Sequence, residues 1–369
     1  MSGPLADIRV LEVGHMLAGP FGGMMLADLG ADVIKIEPAA GDLSRRVGTQ
    51  SVDDHNVYFA SLNRNKRSVH IDLTTSAGQA ELGELAKTAD ALLVNLRPST
   101  IRKLGLDYAS LRKHNPKIVC VALTGYGLEG AAAEWPAFDY VIQARVGVAA
   151  LTGEPGGPPT IPGYSAVDNS AGLTAALALL AKVHEGKGGQ VDIALFDVML
   201  AQLNYKAAAY LNGGDRPPRH RLGAHNFYVP AQLFETGDGY LALFVTTDGM
   251  WRRLCAGVDR PDWADDPRFA TAHARFDNRS ELLDLLGARL KAASAVEWED
   301  RLGPLGLAVG AVKELADALD GDLVRTRGMV VTVDTPDGPL RMIASPIHFG
   351  DSETEYQPPP RLHEHTDEI

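Results

Sequence analysis

Apolar, β-rich runs alternate with helix-period stretches through the first half of the chain, the pattern of a parallel sheet joined by crossover helices. Strands are expected at 8–13, 31–37, 68–73, 91–96, 117–123 and 190–195, and helices at 24–29, 76–88, 99–104, 108–114, 169–185 and 197–211. Beyond Gly125 the character changes: 153–162 is rich in Gly and Pro and reads as a loop, and 212–221 lacks apolar periodicity. Two strand patterns, 231–235 and 240–245, then precede a helical stretch to about 316, and 329–349 alternates like a hairpin around Pro336-Asp337-Gly338. The fold class expected is α/β: an open, mostly parallel sheet in a large domain over 1–211, a smaller α+β domain over 222–328, and a segment 329–369 returning towards the first. No internal repeat interrupts this order.

Composition narrows the functional classes. With 45% hydrophobic and 22% charged residues in 369, the chain has ordinary globular usage and can bury a sizeable core. A net charge of -12 repels nucleic acid and anionic membranes, leaving room only for a local basic pocket. Cys120 and Cys255 stand far apart in apolar surroundings, as reduced thiols do, and a cytoplasmic location is expected. The start of the chain lacks the basic and apolar regions of a signal peptide, and no apolar run reaches spanning length; the longest, 171–183, reads as a buried helix.

Candidate chemistry is sparse. The cluster Gly14-His15-Met16-Leu17-Ala18-Gly19-Pro20 lies where the first strand meets the first helix, at the edge where open α/β sheets bind ligands. Glu37 ends the second strand, like the ribose-binding acid of dinucleotide enzymes, yet the glycine spacing is not G-x-G-x-x-G. A turn required only for close packing competes with any nicotinamide reading. No Walker loop, His-Glu-x-x-His or Gly-x-Ser-x-Gly elbow occurs, and His363-Glu364-His365 reads as a solvated tail, so no metal and no permanently bound cofactor is expected. Asp168 stands before an apolar helix, where its carboxylate could cap the first amides. The same amides would keep it ionised and able to attack a thioester carbonyl, and position alone does not choose between the two roles.

Eight cations, Arg45, Arg46, Arg64, Lys66, Arg67, Arg97, Arg102 and Lys103, fall in the first hundred-odd positions of an otherwise acidic chain. That distribution suits a small ligand rich in phosphate, although each one singly could be a solvated surface charge.

Several stretches together resemble the family III CoA-transferases, the CaiB/BaiF family. They are Ala18-Gly19-Pro20 with 26–37, Asn63-Arg64-Asn65-Lys66-Arg67-Ser68, 94–98 with Leu104-Gly105-Leu106, and 115–119. Gln143-Ala144-Arg145-Val146-Gly147, Leu151-Thr152-Gly153-Glu154, Asp168-Asn169-Ser170-Ala171-Gly172 and His365-Thr366-Asp367-Glu368 continue the likeness in order along nearly the whole chain. The resemblance implies a Rossmann-like large domain built from both chain ends, a smaller middle domain, and two ring-shaped subunits interlocked as a homodimer. It implies an acyl-CoA thioester and a small carboxylic acid as substrates, with CoA moved between them through an aspartyl-CoA thioester on Asp168. By matching position, CoA contacts would fall on Leu17, Ala18, Ile71, Asp72, Leu73, Thr74, Asn95, Leu96, Arg97 and Lys103.

The chain departs from the oxalate-using members of that family. They carry glutamine where Leu17 stands, a basic residue at the position of Pro38, and a glycine run where this chain has Gly223-Ala224-His225-Asn226-Phe227, which argues against a formyl or oxalyl substrate. The α-methylacyl-CoA racemases of the same family need a His about thirty residues before the Asp, where this chain has Phe138-Asp139-Tyr140. Phenylalanine cannot shuttle a proton, so transfer is preferred over epimerisation. A CoA-ester-binding protein without turnover is the third reading.

Overall fold

The computed structural model describes residues 3–48, 50–52, 55–335 and 338–369. Six strands form its main sheet: β1 (Arg9–Val13), β2 (Asp32–Glu37), β3 (Lys66–His70), β4 (Ala91–Val94), β5 (Val119–Thr124) and β6 (Gly189–Ala194). Their order is β3-β2-β1-β4-β5-β6, and every neighbouring pair is parallel. The α/β class and the parallel sheet expected from the sequence are therefore present. β4 and β5 are buried along their whole length, which is why they read as unbroken apolar runs. From β1 the chain goes to β2 on one side and later reaches β4 on the other, so a crevice opens beyond the carboxyl ends of β1 and β4.

Helix α1 (Ala18–Asp28) starts six residues before the expected 24. Pro20 is tolerated because it sits in the first turn, whose amides lack intrahelical partners. α2 (Val57–Asn63) has no counterpart among the expected helices; Asn56 caps it, accepting from the amides of Tyr58 and Phe59. α3 (Ser76–Thr88) follows the predicted span, and α4 (Pro98–Lys103) opens on a proline. α5 (Asp139–Arg145) and α6 (Ala166–Glu185) follow, α6 beginning three residues before the expected 169.

α1 and α6 cross backbone to backbone. A Cβ on Gly22 would lie 2.7 Å from the carbonyl oxygen of Gly172, and one on Gly172 would lie 2.5 Å from that of Ala18. By length and composition α6 could cross a membrane, contrary to the expectation that no run is long enough; here it packs on α1 and β5. Instead of one helix over 197–211 there are two, α7 (Leu195–Gln202) and α8 (Asn204–Gly213), broken where Asn204 takes φ 25°.

The chain divides into two compact units, one of Met1–Val146, Gly163–Asn204 and Asp322–Ile369, the other of Gly147–Pro162 and Tyr205–Gly321. The sequence-based limits put 147–162 and 205–211 in the first domain and 322–328 in the second; the contacts group them the other way. Bonds tie the Gly/Pro loop to the second unit: Arg219 donates to the carbonyls of Gly157 and Pro158, and the Leu222 amide to Glu154.

In the second unit β7 (Ala231–Glu235), β8 (Tyr240–Phe244) and β9 (Ala308–Ala311) form an antiparallel sheet in the order β9-β8-β7. Alternate residues of β8 are buried, with Trp251, Leu286 and Trp298 in the core they join. In the first unit the last segment carries a hairpin, β10 (Val330–Thr335) and β11 (Gly338–Ile343); Pro336 and Asp337 of its expected turn lie outside the described residues. Arg64 donates to Ile343 O, Gln357 N to Asn65 Oδ1, and His365 N to Ser68 O. His363 Nε2 lies 3.0 Å from Pro38 O. The histidines expected in a solvated tail are thus held along the edge of the sheet.

Candidate active site

Beyond the carboxyl ends of β1, β4 and β5 lies a cavity of about 220 Å³. Its floor comes from the segments leaving those strands: His15, Met16, Leu17 and Ala18 after β1, Asn95, Leu96 and Arg97 after β4, and Thr124 and Gly125 at the end of β5. Trp135, Phe138, Leu195 and Asp168 complete the walls. This is the switch-point crevice that the sheet order predicts. Of the ten residues the resemblance marks for CoA, Leu17, Ala18, Asn95, Leu96 and Arg97 meet here with Asp168. Ile71 and Leu73 are instead buried in the core beside the sheet, while Asp72 is exposed and accepts from the Thr74 amide and hydroxyl. Lys103, exposed at the end of α4, does not line the cavity.

Asp168 is the third residue of α6 and not its cap. The cap position belongs to Ser165, whose side chain accepts no bond there. A carboxylate from another helix does the work: Asp139, the first residue of α5, accepts from the amides of Val167 at 2.7 Å and Asp168 at 3.2 Å. Gln143 holds the other oxygen of Asp139 at 2.6 Å. The expectation that capping keeps Asp168 ionised fails for the same reason. Burial and then the nearby Asp139 carboxylate push its carboxyl up to about 7. Tyr58 on α2 belongs to the same surroundings, since burial and then Asp168 raise its hydroxyl. Neither Asp139 nor Tyr58 carried a sequence signal for this role.

Most of the eight cations are already paired. Lys66 is fully buried, its Nζ 2.8 Å from Glu12, and Arg64 reaches Asp28. Arg67 pairs with Asp32, Arg45 with Glu37, and Arg102 with Glu134. These five therefore do not form the phosphate site that their clustering suggests; the carboxylates that neutralise four of them lie 32 to 54 positions away, and that of Arg45 lies 8 away. Arg97 alone of the eight lines the cavity, while Arg46 and Lys103 are exposed. Glu37, bound by Arg45 and by the Ser68 hydroxyl, is not poised for a ribose.

Beneath the cavity Lys35 joins Glu12 and Asp42, each at 2.8 Å. Burial opposes its charge, but the carboxylates around it raise its pKa. Burial, with help from Lys35, brings Lys66 down to about 8 against the pull of Glu12. The two ammonium groups also hold backbone: Lys35 donates to Gly14 O and Lys66 to Pro20 O, while Asp42 accepts from Met16 N. Both ends of the 14–20 segment are thereby fixed. Gly14 and Gly19 let Asn95 come close, since a Cβ on either would lie within 2.7 Å of its Oδ1. The close-packing role weighed for this glycine cluster is thus the one these contacts support.

A half-buried, basic carboxylate facing a cavity is suited to nucleophilic attack on an acyl carbon. The family model for CoA-transferase family III matches residues 5–366. The chain belongs to this family. Among relatives of this family III CoA-transferase, the succinate–glutarate CoA-transferase of Agrobacterium fabrum is 35% identical over 99% of this chain and 94% of its own length. The acetyl-CoA:oxalate CoA-transferase of Acetobacter aceti is 32% identical over 98% of this chain and 94% of its own. The crystal structure of a CAIB/BAIF family protein from Brucella suis superposes with TM-score 0.86 at 34% identity, covering 100% of this chain and 98% of that one. The resemblance read from the ordered motifs, and the transferase activity it implied, agree with these comparisons.

Proposed function

We propose that this acyl-CoA:carboxylate CoA-transferase moves CoA between short dicarboxylic acids through covalent intermediates on Asp168. The observation that carries the reading is the Asp168 carboxyl itself, pushed up to about 7 on the wall of the switch-point cavity. An ionised carboxylate of that basicity is a stronger nucleophile than a surface aspartate. One Asp168 oxygen bonds to the thioester carbon, the C–S bond breaks, and the electron pair leaves as CoA thiolate. The thiolate then attacks the aspartyl carbonyl and releases the donor acid, leaving aspartyl-CoA. The acceptor carboxylate repeats both steps in reverse, and no proton is consumed. Relatives named for succinate, glutarate and D-citramalate support a dicarboxylate of four or five carbons.

Mass spectrometry tests the intermediate. Incubation with succinyl-CoA and hydroxylamine should place a hydroxamate on Asp168, and Asp168→Ala should lose both the adduct and CoA exchange with glutarate. Deuterium incorporation at the α-carbon of an acyl-CoA with no adduct would instead favour epimerisation. A protein that keeps CoA affinity without turnover would be the binding module. The homodimer that the family resemblance implies is part of the same proposal, supported by the exposed side chains of Leu173 and Leu177, one turn apart on α6.

A further inference from the structure

His15 lines the same cavity as Asp168, yet the covalent scheme gives it no task. Its backbone is held on both sides. The His15 amide donates to Asn95 Oδ1 at 3.0 Å, and Asn95 Nδ2 donates back to His15 O at 3.0 Å. The next residue, Met16, is held at φ 68°, where residues with side chains are uncommon, with its amide donating to Asp42. Asp42 is in turn fixed by Lys35 and by the Ser44 amide. This is much anchoring for one turn. The imidazole it carries is half-buried, and among the described residues no group hydrogen-bonds its ring. Burial lowers its pKa, Asp42 opposing and Lys35 assisting, so at neutral pH the ring is uncharged, with one N–H donor and one acceptor.

We infer that the neutral imidazole of His15 donates a hydrogen bond to the carbonyl oxygen of the thioester that Asp168 attacks. When the Asp168 oxygen bonds to the acyl carbon, the carbonyl electron pair moves onto that oxygen; it returns as the C–S bond breaks and thiolate leaves. The N–H stays on the ring throughout and stabilises the oxyanion in passing. A neutral histidine has the right polarity for this, because a fixed donor aimed at developing charge needs no reorganisation. Anchored backbone and unoccupied ring fit this role together: the donor is placed by the protein and left free for the substrate. The inference rests on Asp168 being the nucleophile.

The test is a single-turnover measurement with succinyl-CoA, following the Asp168 adduct by intact-protein mass spectrometry, beside steady-state exchange with glutarate. His15→Ala should slow adduct formation and kcat by about a hundredfold, with the KM for succinyl-CoA changed by no more than about threefold. His15→Asn, which keeps an N–H donor, should recover part of the rate. His15→Phe, which fills the space without a donor, should stay slow while keeping the wild-type melting temperature. If the alanine variant fails to fold, the Asn and Phe pair decides. An adduct that forms in the donor-less variants at the wild-type rate overturns this inference alone, as does a loss confined to KM. No adduct in the wild type overturns the Asp168 reading and this one with it.

Discussion

Burial and the Asp139 carboxylate make Asp168 a more basic group than a surface aspartate, and that has a measurable sign. Below about pH 7 the carboxyl is protonated and cannot attack, so the rate of Asp168 acylation should climb about tenfold per pH unit and level off above 7. Asp139→Asn removes one source of the shift while keeping an oxygen for the Val167 amide; the acid limb of the pH–rate profile should move to lower pH. An unmoved limb would assign the whole shift to burial. Stability follows the opposite course. The folded state holds the Asp168 proton up to about 7, whereas the unfolded chain releases it near 3.8, the ordinary value for an aspartate. Stability from this group therefore falls as pH rises through that window and stays low above it. Asp168→Asn should melt at a higher temperature than wild type at pH 8, with the gap closing towards pH 4.

At the scale of elements, the α1–α6 crossing brings the helix that carries Asp168 against the segment that floors the cavity. Gly172→Ala would thrust a methyl to within 2.5 Å of the Ala18 carbonyl oxygen, which is backbone and cannot swing aside. The helices must separate, at about 1–3 kcal/mol by the usual response to overpacking. Denaturant titration should report that loss, and exchange activity should fall further than stability alone explains. The buried ions under the same segment give a second test. Glu12→Gln leaves the fully buried Lys66 without its carboxylate, and Lys35 with Asp42 alone, and should destabilise the protein by about 3–5 kcal/mol. A neutral result in thermal or chemical unfolding would mean that the lysines shed a proton or reach water instead.

Over the whole molecule, what could be read from the sequence was what depends on neighbours in sequence. α3 was legible because Thr75 caps a helix-period run, and β4 and β5 because strands buried on both faces are apolar throughout. α1 was half-read: Gly19, Pro20, Gly22 and Gly23 look like a turn until the close approaches of Asn95 to Gly19, Gly172 to Gly22 and Glu12 to Gly23 explain the glycines. Asp139 was invisible as a cap because the amides it accepts from lie 28 and 29 residues further on. The cation cluster misled for a related reason: the carboxylates that neutralise Lys66 and Arg64 are 54 and 36 positions away. Asp168, singled out as a candidate from the sequence, does line the cavity, but with other neighbours and another charge balance than expected. The proposed homodimer is tested at this scale too. Leu177→Lys puts a charge on an apolar side chain 69% exposed in the single chain, and light scattering should report a shift towards monomer.

Glu12 stands between two ammonium groups, and each of those also grips a carbonyl at one end of the segment that floors the cavity. The consequence is historical as much as mechanical. With Asp42 on Lys35 the cluster holds two positive and two negative charges, so any stepwise exchange at Glu12, Lys35, Asp42 or Lys66 passes through a form with an unmatched charge in the protein interior, and the four positions can drift only in concert. Libraries that vary one of them at a time should return the starting residue, while simultaneous replacement of all four by apolar side chains removes the charges together and gives up the grip on Gly14 and Pro20.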